Sequence, residues 1–275
     1  MINYFKKSFQ RKIARRFFKK YPHEISRFQL SDEGEVEFAN WNNPLVVPKT
    51  LMQSKVNFFK KFISKGDLCI DIGANIGEQA ISIALAAGKE GLVVAFDPNP
   101  HAFEILELNS KLNKDKTNIV PFPFAITEQE GEFYYNSDEA SFANGGISKN
   151  LSGYHGHHML KSKVKGINLE EFFKSNYGDW LSKLSFIKVD VEGYDKEIIR
   201  SISPIIQKYK PVIIAECFAK STAAERIELY ETVKGNGYDL FYFEDFVENT
   251  TVIKLEKNDM TKWKHFDFYA IPVKK

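Results

Sequence analysis

Two glycines, Gly73 and Gly77, follow the apolar run LCIDI, which ends at Ile72. Glycine lets the backbone approach a ligand closely, and a helix that begins after such a turn has free backbone N–H groups at its start. The spacing therefore indicates a ligand-binding turn, although a tight strand-to-helix turn without any ligand has the same pattern. The candidate contacts in this turn are Asp71, Gly73, Ala74, Asn75 and Gly77.

A carboxylate stands at the end of the next apolar run, where Asp97 follows LVVAF. At that place in a parallel sheet a carboxylate can accept hydrogen bonds from both hydroxyls of a ribose, which predicts an adenosine-type nucleotide. NAD and S-adenosylmethionine both carry such a ribose. The NAD fingerprint needs a glycine where this chain has Asn75, and Asp71 suits a ligand that ends in an ammonium group. The pattern favours S-adenosylmethionine and disfavours a nicotinamide-dependent oxidoreductase.

Three further carboxylates follow apolar runs later in the chain. Because alternate residues of a strand share a face, Lys188, Asp190 and Glu192 are expected on one side, next to the ligand cleft. Glu216 ends another run and can join them. Such carboxylates can orient a cofactor ammonium, accept a hydroxyl proton, or hold a divalent cation, whereas helix capping or an ion pair with the lysine would involve no catalysis. We take Asp190, Glu192 and Glu216 as catalytic candidates and assign no metal ligand.

The segment 136–166 is long, polar and rich in Gly, Ser and His, which is typical of a lid-like insertion that faces a substrate. It carries His155, His157 and His158. A histidine can act as a general base near neutral pH, and two can bind a metal, but histidines of an exposed loop need have no function. We take His155 and His157 as catalytic candidates.

The elements that must position these residues alternate between strands and helices. Apolar runs at 68–72, 92–96, 119–124, 186–189 and 212–215 are separated by helical patterns, and 238–243 and 266–271 supply two more strands. This alternation predicts an α/β fold with a doubly wound, mostly parallel sheet of seven strands, the last of them antiparallel. Ligands of such a sheet bind at the carboxyl ends of its strands.

The first 20 residues have an apolar stripe at helical spacing, and eight Lys and Arg occupy most of the other faces. This basic amphipathic helix has two interpretations. It can dock on an anionic membrane surface, or it can lay its phenylalanines on the domain core. Residues 21–50 predict a small hairpin-like element, so we expect an accessory region at 1–50 and the catalytic domain at 51–275.

Composition excludes several classes of protein. Hydrophobic residues make up 43% and charged residues 27% of the 275, which is typical of a globular protein. The formal charge of +2 disfavours a nucleic-acid partner, and no apolar run is long enough to span a membrane. Because no secretory signal is present either, we expect a cytoplasmic protein, with the inner face of a membrane as the alternative suggested by residues 1–20.

Several motifs in order resemble the FkbM family of methyltransferases. They are GDLCIDIGANIGEQAISIA, VVAFDPNPHAFEILELNSKLN, Ala125-Ile126, Gly145-Gly146, INLEEFF and FIKVDVEGYDKEII, and they cover roughly residues 66–217. The resemblance implies a class I, Rossmann-like methyltransferase fold with S-adenosylmethionine as donor and usually a hydroxyl as acceptor. The acceptors of the family include sugars and polyketide macrocycles.

The resemblance also implies roles for individual positions. The turn residues 73–75 and Gly77 would line the methionine and ribose, and Asp97 would hold the ribose hydroxyls. The adenine would lie between two pairs of residues, which are Pro98 with Asn99 and Ala125 with Ile126. Gln79 departs from the family, which more often has a small hydroxyl residue there, and this puts one cofactor contact in doubt.

The expected function is transfer of a methyl group to a hydroxyl of a sugar or glycan, with a lipid-linked precursor as one version. The alternatives are methylation of RNA or of another small molecule, a nicotinamide-dependent oxidoreductase, and a non-catalytic binding domain at a membrane. The sequence leaves the oligomeric state open.

Overall fold

The computed structural model describes residues 2–148 and 157–273, which form helices and strands in an alternating order. The elements are α1 (Ile2–Arg16), β1 (His23–Leu30), β2 (Gly34–Trp41), α2 (Gln53–Lys60), β3 (Leu68–Ile72), α3 (Glu78–Ala87), β4 (Leu92–Phe96), α4 (Pro100–Leu112), β5 (Ile119–Phe122), β6 (Phe124–Ile126), β7 (Gly131–Ser137), β8 (Gly146–Ser148), β9 (His158–Met159), β10 (Val164–Ile167), α5 (Leu169–Asn176), β11 (Leu184–Val189), α6 (Asp195–Ser201), α7 (Ser203–Tyr209), β12 (Val212–Cys217), α8 (Ala223–Gly235), β13 (Tyr238–Phe243), β14 (Val252–Lys254) and β15 (Phe266–Pro272). Short 3-10 helices lie at Gly178–Lys183 and Lys257–Thr261.

The main sheet has the order β14-β13-β15-β12-β11-β3-β4-β5 within the described residues. Strands β5, β4, β3, β11 and β12 are parallel, and β15 runs antiparallel between β12 and β13. The doubly wound, mostly parallel α/β sheet with an antiparallel last strand is thus confirmed. The predicted count of seven strands is one short because β14, three exposed residues at the sheet edge, has no buried face to mark it in the sequence.

The central strands are buried on both faces, as their unbroken apolar runs require. Every residue of β3 and β4 is buried, and their alternate residues divide between two hydrophobic clusters on opposite faces of the sheet. Cys69 joins one cluster, and Ile70 joins the other. Asp71 is the polar exception in this layer, and it needs a charged neighbour there.

Pro123 divides the predicted strand 119–124 between two sheets. Proline has no backbone N–H to donate to a ladder. The edge strand β5 contains Pro121 but ends before Pro123, and β6 begins a second sheet after it. The second sheet has the order β6-β10-β7-β8, and β9 pairs with β7. The described part of the segment 136–166 therefore contains paired strands and is not a simple loop.

The predicted hairpin is confirmed as β1 and β2, paired from His23 to Trp41, and it docks on α4. The Asn109 amide accepts from the backbone N–H of Ala39 at 2.7 Å and donates to its carbonyl at 3.1 Å. One turn further along the helix, Asn113 makes the same pair of bonds to Glu37. These two amides take the place of a neighbouring strand at the edge of β2.

Candidate active site

The strand order reverses between β3 and β11, and their carboxyl ends meet there. The N–H of Asp190 donates to the carbonyl of Ile72 at 3.0 Å, which joins the two strand ends. Gly73 has a φ of 78°, and a Cβ added to it would lie 1.8 Å from the carbonyl oxygen of Asp190. Only glycine permits this close approach, so the turn and the carboxylate cluster form one site.

A cavity of about 450 Å³ opens at this junction, which is a usual size for a small-molecule site. It contains most of the predicted cofactor contacts. Those that line it are Gly73, Ala74, Asn75, Asp97, Pro98, Ala125, Ile126 and Asp190. The catalytic candidates Glu192 and Glu216 line the same cavity, so the two groups of sequence motifs lie on its walls together.

Asp97 is fixed by the turn that it faces. Its Oδ2 accepts from the N–H of Asn75 at 2.7 Å, and its Oδ1 accepts from the N–H of Asn99 at 2.9 Å. Each carboxylate oxygen can accept a second hydrogen bond, so the group keeps capacity for two hydroxyls. Burial raises the pKa of Asp97 to about 7, although the two N–H donors oppose this shift.

Three predicted cofactor residues do not line the cavity, and each has a structural role instead. Asp71 is fully buried within β3, where the Lys188 ammonium lies 3.6 Å from its Oδ1. Gly77 has a φ of 90°, and a Cβ on it would lie 2.8 Å from Leu106, so it permits the packing of α3 on α4. The Asn99 side chain caps α4 and donates to the carbonyl of Phe142 at 2.8 Å.

Lys188 connects two carboxylates beneath the cavity. Its ammonium is buried and lies 3.0 Å from Oδ2 of Asp190 and 3.6 Å from Oδ1 of Asp71. Burial alone lowers the pKa of a lysine, but the two carboxylates outweigh burial and raise the pKa of Lys188. The lysine therefore stays protonated, and it holds the half-exposed Asp190 carboxylate at the cavity wall.

The other two carboxylates of the cavity are harder to ionise. Burial and the charge of Asp190 raise the pKa of Glu192 to about 7. Burial and the same neighbouring charge raise the pKa of Glu216 to about 10. Glu192 also has a φ of 55°, an uncommon backbone conformation for a residue with a side chain. At neutral pH, Glu192 is partly ionised and Glu216 is protonated.

Within the described residues, no histidine of the insertion 136–166 lines the cavity with these carboxylates. His155 lies outside the described residues, and His157 is exposed and does not line the cavity. The histidine that does approach is His265, just before β15, whose Nε2 lies 2.6 Å from Oε1 of Glu216. No local pattern in the sequence pointed to it. Among residues 2–148 and 157–273, no three His, Cys, Asp or Glu side chains are arranged to hold a metal ion.

Several wall residues were not identified from the sequence. They are Leu45, Val46 and Val47 after the hairpin and Tyr135 of β7, whereas Asn136 and the wall segment 143–147 belong to the insertion that was predicted to face a substrate. The local patterns around residues 45–47 and Tyr135 carry no ligand signal, because the second sheet and the hairpin connection bring them to the cavity from distant parts of the chain.

The cavity fits the cofactor that the turn indicates. Gln79, where the sequence departs from the FkbM pattern, lines the cavity, and its buried Oε1 has no hydrogen-bond partner in the protein. Oε2 of Glu216 is also buried without a partner. Buried polar atoms are normally paired, so such groups at a cavity are suited to the polar groups of a ligand. Asp97 and the Oε1 of Gln79 would thus supply acceptors for hydrogen-bond donors of S-adenosylmethionine.

Several known proteins are similar to this chain. The hexuronic acid methyltransferase AglP of Haloferax volcanii is 25% identical over 162 residues, which are 59% of this chain and 61% of AglP. The methyltransferase FkbM of Methylobacillus flagellatus is similar in structure with a TM-score of 0.49 and 13% identity, over 76% of this chain and 44% of that one. An S-adenosylmethionine-dependent O-methyltransferase of Thermotoga maritima has a TM-score of 0.43 and 12% identity, over 92% and 79% of the two chains.

The family model for the methyltransferase FkbM domain matches residues 71–240, from the glycine turn through β13. The match includes Asp97, Asp190 and Glu216, which line the cavity. Since it covers more than half of the 275 residues, the chain belongs to the FkbM methyltransferase domain family.

Proposed function

We propose that the protein transfers a methyl group from S-adenosylmethionine to a hydroxyl oxygen of a sugar within a glycan. The observation that carries the proposal is the single cavity that Asp97 and the carboxylates Asp190 and Glu192 line together. A ribose-binding carboxylate and a proton acceptor are thereby held within one small site. The name of AglP supports a sugar acceptor, although the match spans less than two thirds of that protein.

The chain's own residues have separate roles in this proposal. Asp97 accepts hydrogen bonds from the ribose hydroxyls, and the Oε1 of Gln79 accepts one from another donor of the cofactor. Pro98, Ala125 and Ile126 supply the apolar walls that suit an adenine ring. When bound, S-adenosylmethionine supplies an activated methyl group on a sulfonium, so positioning contributes much of the catalysis.

Glu192 is the proposed general base for the acceptor hydroxyl. Its pKa of about 7 lies near a neutral working pH, where a base is most effective because it is both partly ionised and able to take a proton. Glu216 has a pKa of about 10 and is protonated under the same conditions. Asp190 is held by Lys188 at 3.0 Å, which suits it to orient a hydroxyl or an ammonium group.

The test of this function uses S-adenosylmethionine with a labelled methyl group and oligosaccharides with and without a hexuronic acid. We expect label in the sugar, and we expect Glu192→Gln to lower kcat by about 10²- to 10⁴-fold. At saturating S-adenosylmethionine, the acid limb of the kcat–pH profile near pH 7 should disappear with it, because that limb follows ionisation of Glu192. The control Glu130→Gln removes an exposed carboxylate and should behave as the unmodified protein.

Two outcomes would contradict the proposal. A hexuronic acid offers a carboxylate as well as hydroxyls, so label that mild alkali releases would place the methyl group in an ester. Failure of S-adenosylmethionine to bind in calorimetry would remove the donor from the proposal altogether.

The finer version of the proposal is a glycan acceptor on a lipid carrier at the cytoplasmic face of a membrane. It is supported by α1, whose exposed aromatic and basic side chains suit a lipid surface. A lipid-linked oligosaccharide should then be methylated faster than the same oligosaccharide without its lipid. Equal rates for the two acceptors would contradict this version.

A further inference from the structure

Helix α1 and the residues after it expose four large aromatic side chains. Phe5, Phe9, Phe17 and Phe18 have exposed fractions of 64%, 64%, 66% and 58%. Of the two sequence-based interpretations of this stripe, burial in the domain core is therefore wrong for Phe5, Phe9 and Phe17, whereas Phe18 contacts the rings of His101 and Phe142. Exposed apolar surface of this kind marks an interaction site more often than it marks free surface.

The helix is attached to the domain by its opposite face. Ala14 is fully buried, and the nine residues from Phe5 to Ala14 span about two and a half turns, which places the two on opposite sides. The carbonyls of Ala14 and Arg15 accept from the N–H groups of Ser141 and Ala140, both at 3.0 Å. The attached face is thus fixed, and Phe5 and Phe9 lie on the other side of the helix.

The charges around the phenylalanines are all of one sign. Residues 1–20 contain eight Lys and Arg and no Asp or Glu. Lys6, Lys12 and Arg16 are exposed and lie three or seven residues from Phe9, which places them on its side of the helix. Aromatic side chains bordered by basic ones match the boundary between the acyl chains and the head groups of an anionic bilayer. No described helix is long and apolar enough to cross a membrane, so α1 would lie in the plane of the surface.

The same helix touches two segments of the cavity rim. Arg11 donates to the carbonyl of Pro44 at 3.1 Å, next to the wall residues 45–47. Ala140 and Ser141, which α1 binds through its carbonyls, lie just before the wall segment 143–147. Val47, which also lines the cavity, is 67% exposed. A surface that binds α1 therefore lies close to the entrance of the site.

We propose that the exposed face of α1, formed by Phe5, Phe9, Phe17 and the basic residues beside them, docks the protein on an anionic lipid bilayer with the cavity rim next to the head groups. The aromatic rings enter the boundary region, and the basic side chains contact the lipid phosphates. The docking surface itself does not depend on the proposed function, whereas delivery of a lipid-linked acceptor to the rim rests on it.

The test is flotation of the full chain with vesicles of phosphatidylcholine alone and of phosphatidylcholine mixed with phosphatidylglycerol. We expect flotation with the anionic vesicles, and Phe5→Ser with Phe9→Ser should weaken partitioning at least about tenfold. Lys6→Gln, Lys12→Gln and Arg16→Gln together should weaken it roughly 100-fold, on anionic vesicles alone.

Matched controls separate docking from a general change of surface. Val252→Ser with Ile253→Ser removes two exposed apolar side chains from β14, far along the sheet edge, and should leave flotation unchanged. Lys89→Gln, Lys114→Gln and Lys161→Gln remove the same number of exposed positive charges elsewhere. All variants should bind S-adenosylmethionine as the unmodified protein does, which distinguishes failure of docking from failure of the proposed function.

Two results would overturn the proposal. One is a full chain that does not float with anionic vesicles, or that floats equally well after the phenylalanine substitutions. The other is tight binding of a structured RNA by a chain that does not float with vesicles. If the triple variant of the basic residues of α1 loses this RNA binding, the surface binds nucleic acid.

Discussion

The backbone N–H of Asn75 donates to the Oδ2 of Asp97 at 2.7 Å, so the glycine turn after one strand holds the carboxylate at the end of the next. Both residues also line the cavity. The contact fixes the carboxylate oxygens before any ligand binds, which lowers the cost of ordering the site.

The first prediction concerns the ionisation of Asp97. Its pKa is about 7 in the folded protein and near 3.8 when unfolded, so the unfolded chain releases this proton at lower pH. The stability that the protonated acid contributes is present below about pH 4 and is lost as pH rises toward 7. From pH 5 to pH 8 the loss is about 2.5 kcal/mol. Asp97→Asn should remove this part of the pH dependence of the free energy of unfolding.

Calorimetry on the same variant measures the affinity for S-adenosylmethionine. Asp97→Asn should weaken S-adenosylmethionine binding about 10- to 100-fold at pH 8, because hydrogen bonds to a charged carboxylate are replaced by weaker ones. In the unmodified protein, affinity should rise with pH through 7 as the carboxylate ionises. An affinity that does not change with pH would contradict the role of Asp97.

The second prediction concerns the close approach at Gly73. Gly73→Ala would put a Cβ 1.8 Å from the carbonyl oxygen of Asp190, on a residue whose φ is 78°. We expect a loss of at least about 2 kcal/mol in the free energy of unfolding and weaker cofactor binding. Gly178→Ala is the control, because its Cβ would meet nothing within 4 Å and its φ is not positive. Equal denaturation midpoints for the two variants would contradict the close approach of Gly73 to the carbonyl of Asp190.

The third prediction concerns the buried charge pair at Lys188. Lys188→Met leaves Asp71 without a positive neighbour, and both oxygens of Asp71 lack hydrogen-bond partners. Removing one partner of a buried pair costs about 3–5 kcal/mol, measured here by urea denaturation at neutral pH. Adding Asp71→Asn should recover much of this loss. Lys111→Met, which breaks an exposed pair with Glu107, should cost less than about 0.5 kcal/mol.

The fourth prediction concerns the hydrogen bonds that hold the β1–β2 hairpin on α4. Asn109→Ala leaves the buried N–H of Ala39 and the carbonyls of Ala39 and Ile76 without their partner. Each unsatisfied group costs about 1–3 kcal/mol, so the variant should unfold well below the unmodified Tm. Asn176→Ala removes a single exposed side-chain bond to Phe172 and is the control. Similar Tm values for the two variants would mean that the hairpin is held by other contacts.

Local patterns were sufficient to predict the central sheet. Apolar runs identified β3 and β4 with their observed bounds, because a strand that is buried on both faces carries few polar residues. The aromatic-rich run YDLFYF did the same for the partly buried β13. The glycine turn and Asp97 were found for a related reason. Their conformations and positions are set within a few residues of the strands that they follow.

Local sequence patterns could not predict the burial of single residues or the contacts between distant parts of the chain. Asp71, Gly77 and Asn99 have the residue types of ligand contacts, but each of them contacts another part of the protein. Their neighbours are, in the same order, Lys188, Leu106 and Phe142, which lie far away in the sequence. His265 and the hairpin connection reach the site in the same way, so no local signal identified them.

The sequence by itself determined the order of strands and helices, the turn, the carboxylate Asp97 at the end of β4 and the basic aromatic helix, since periodicity and residue type act over short stretches of chain. Only the tertiary structure decided which carboxylates share one cavity, how far burial raises the pKa values of Glu192 and Glu216, and that Phe5 and Phe9 face away from the core. These properties depend on distances between elements far apart in the chain, and those distances exist only after the chain has folded.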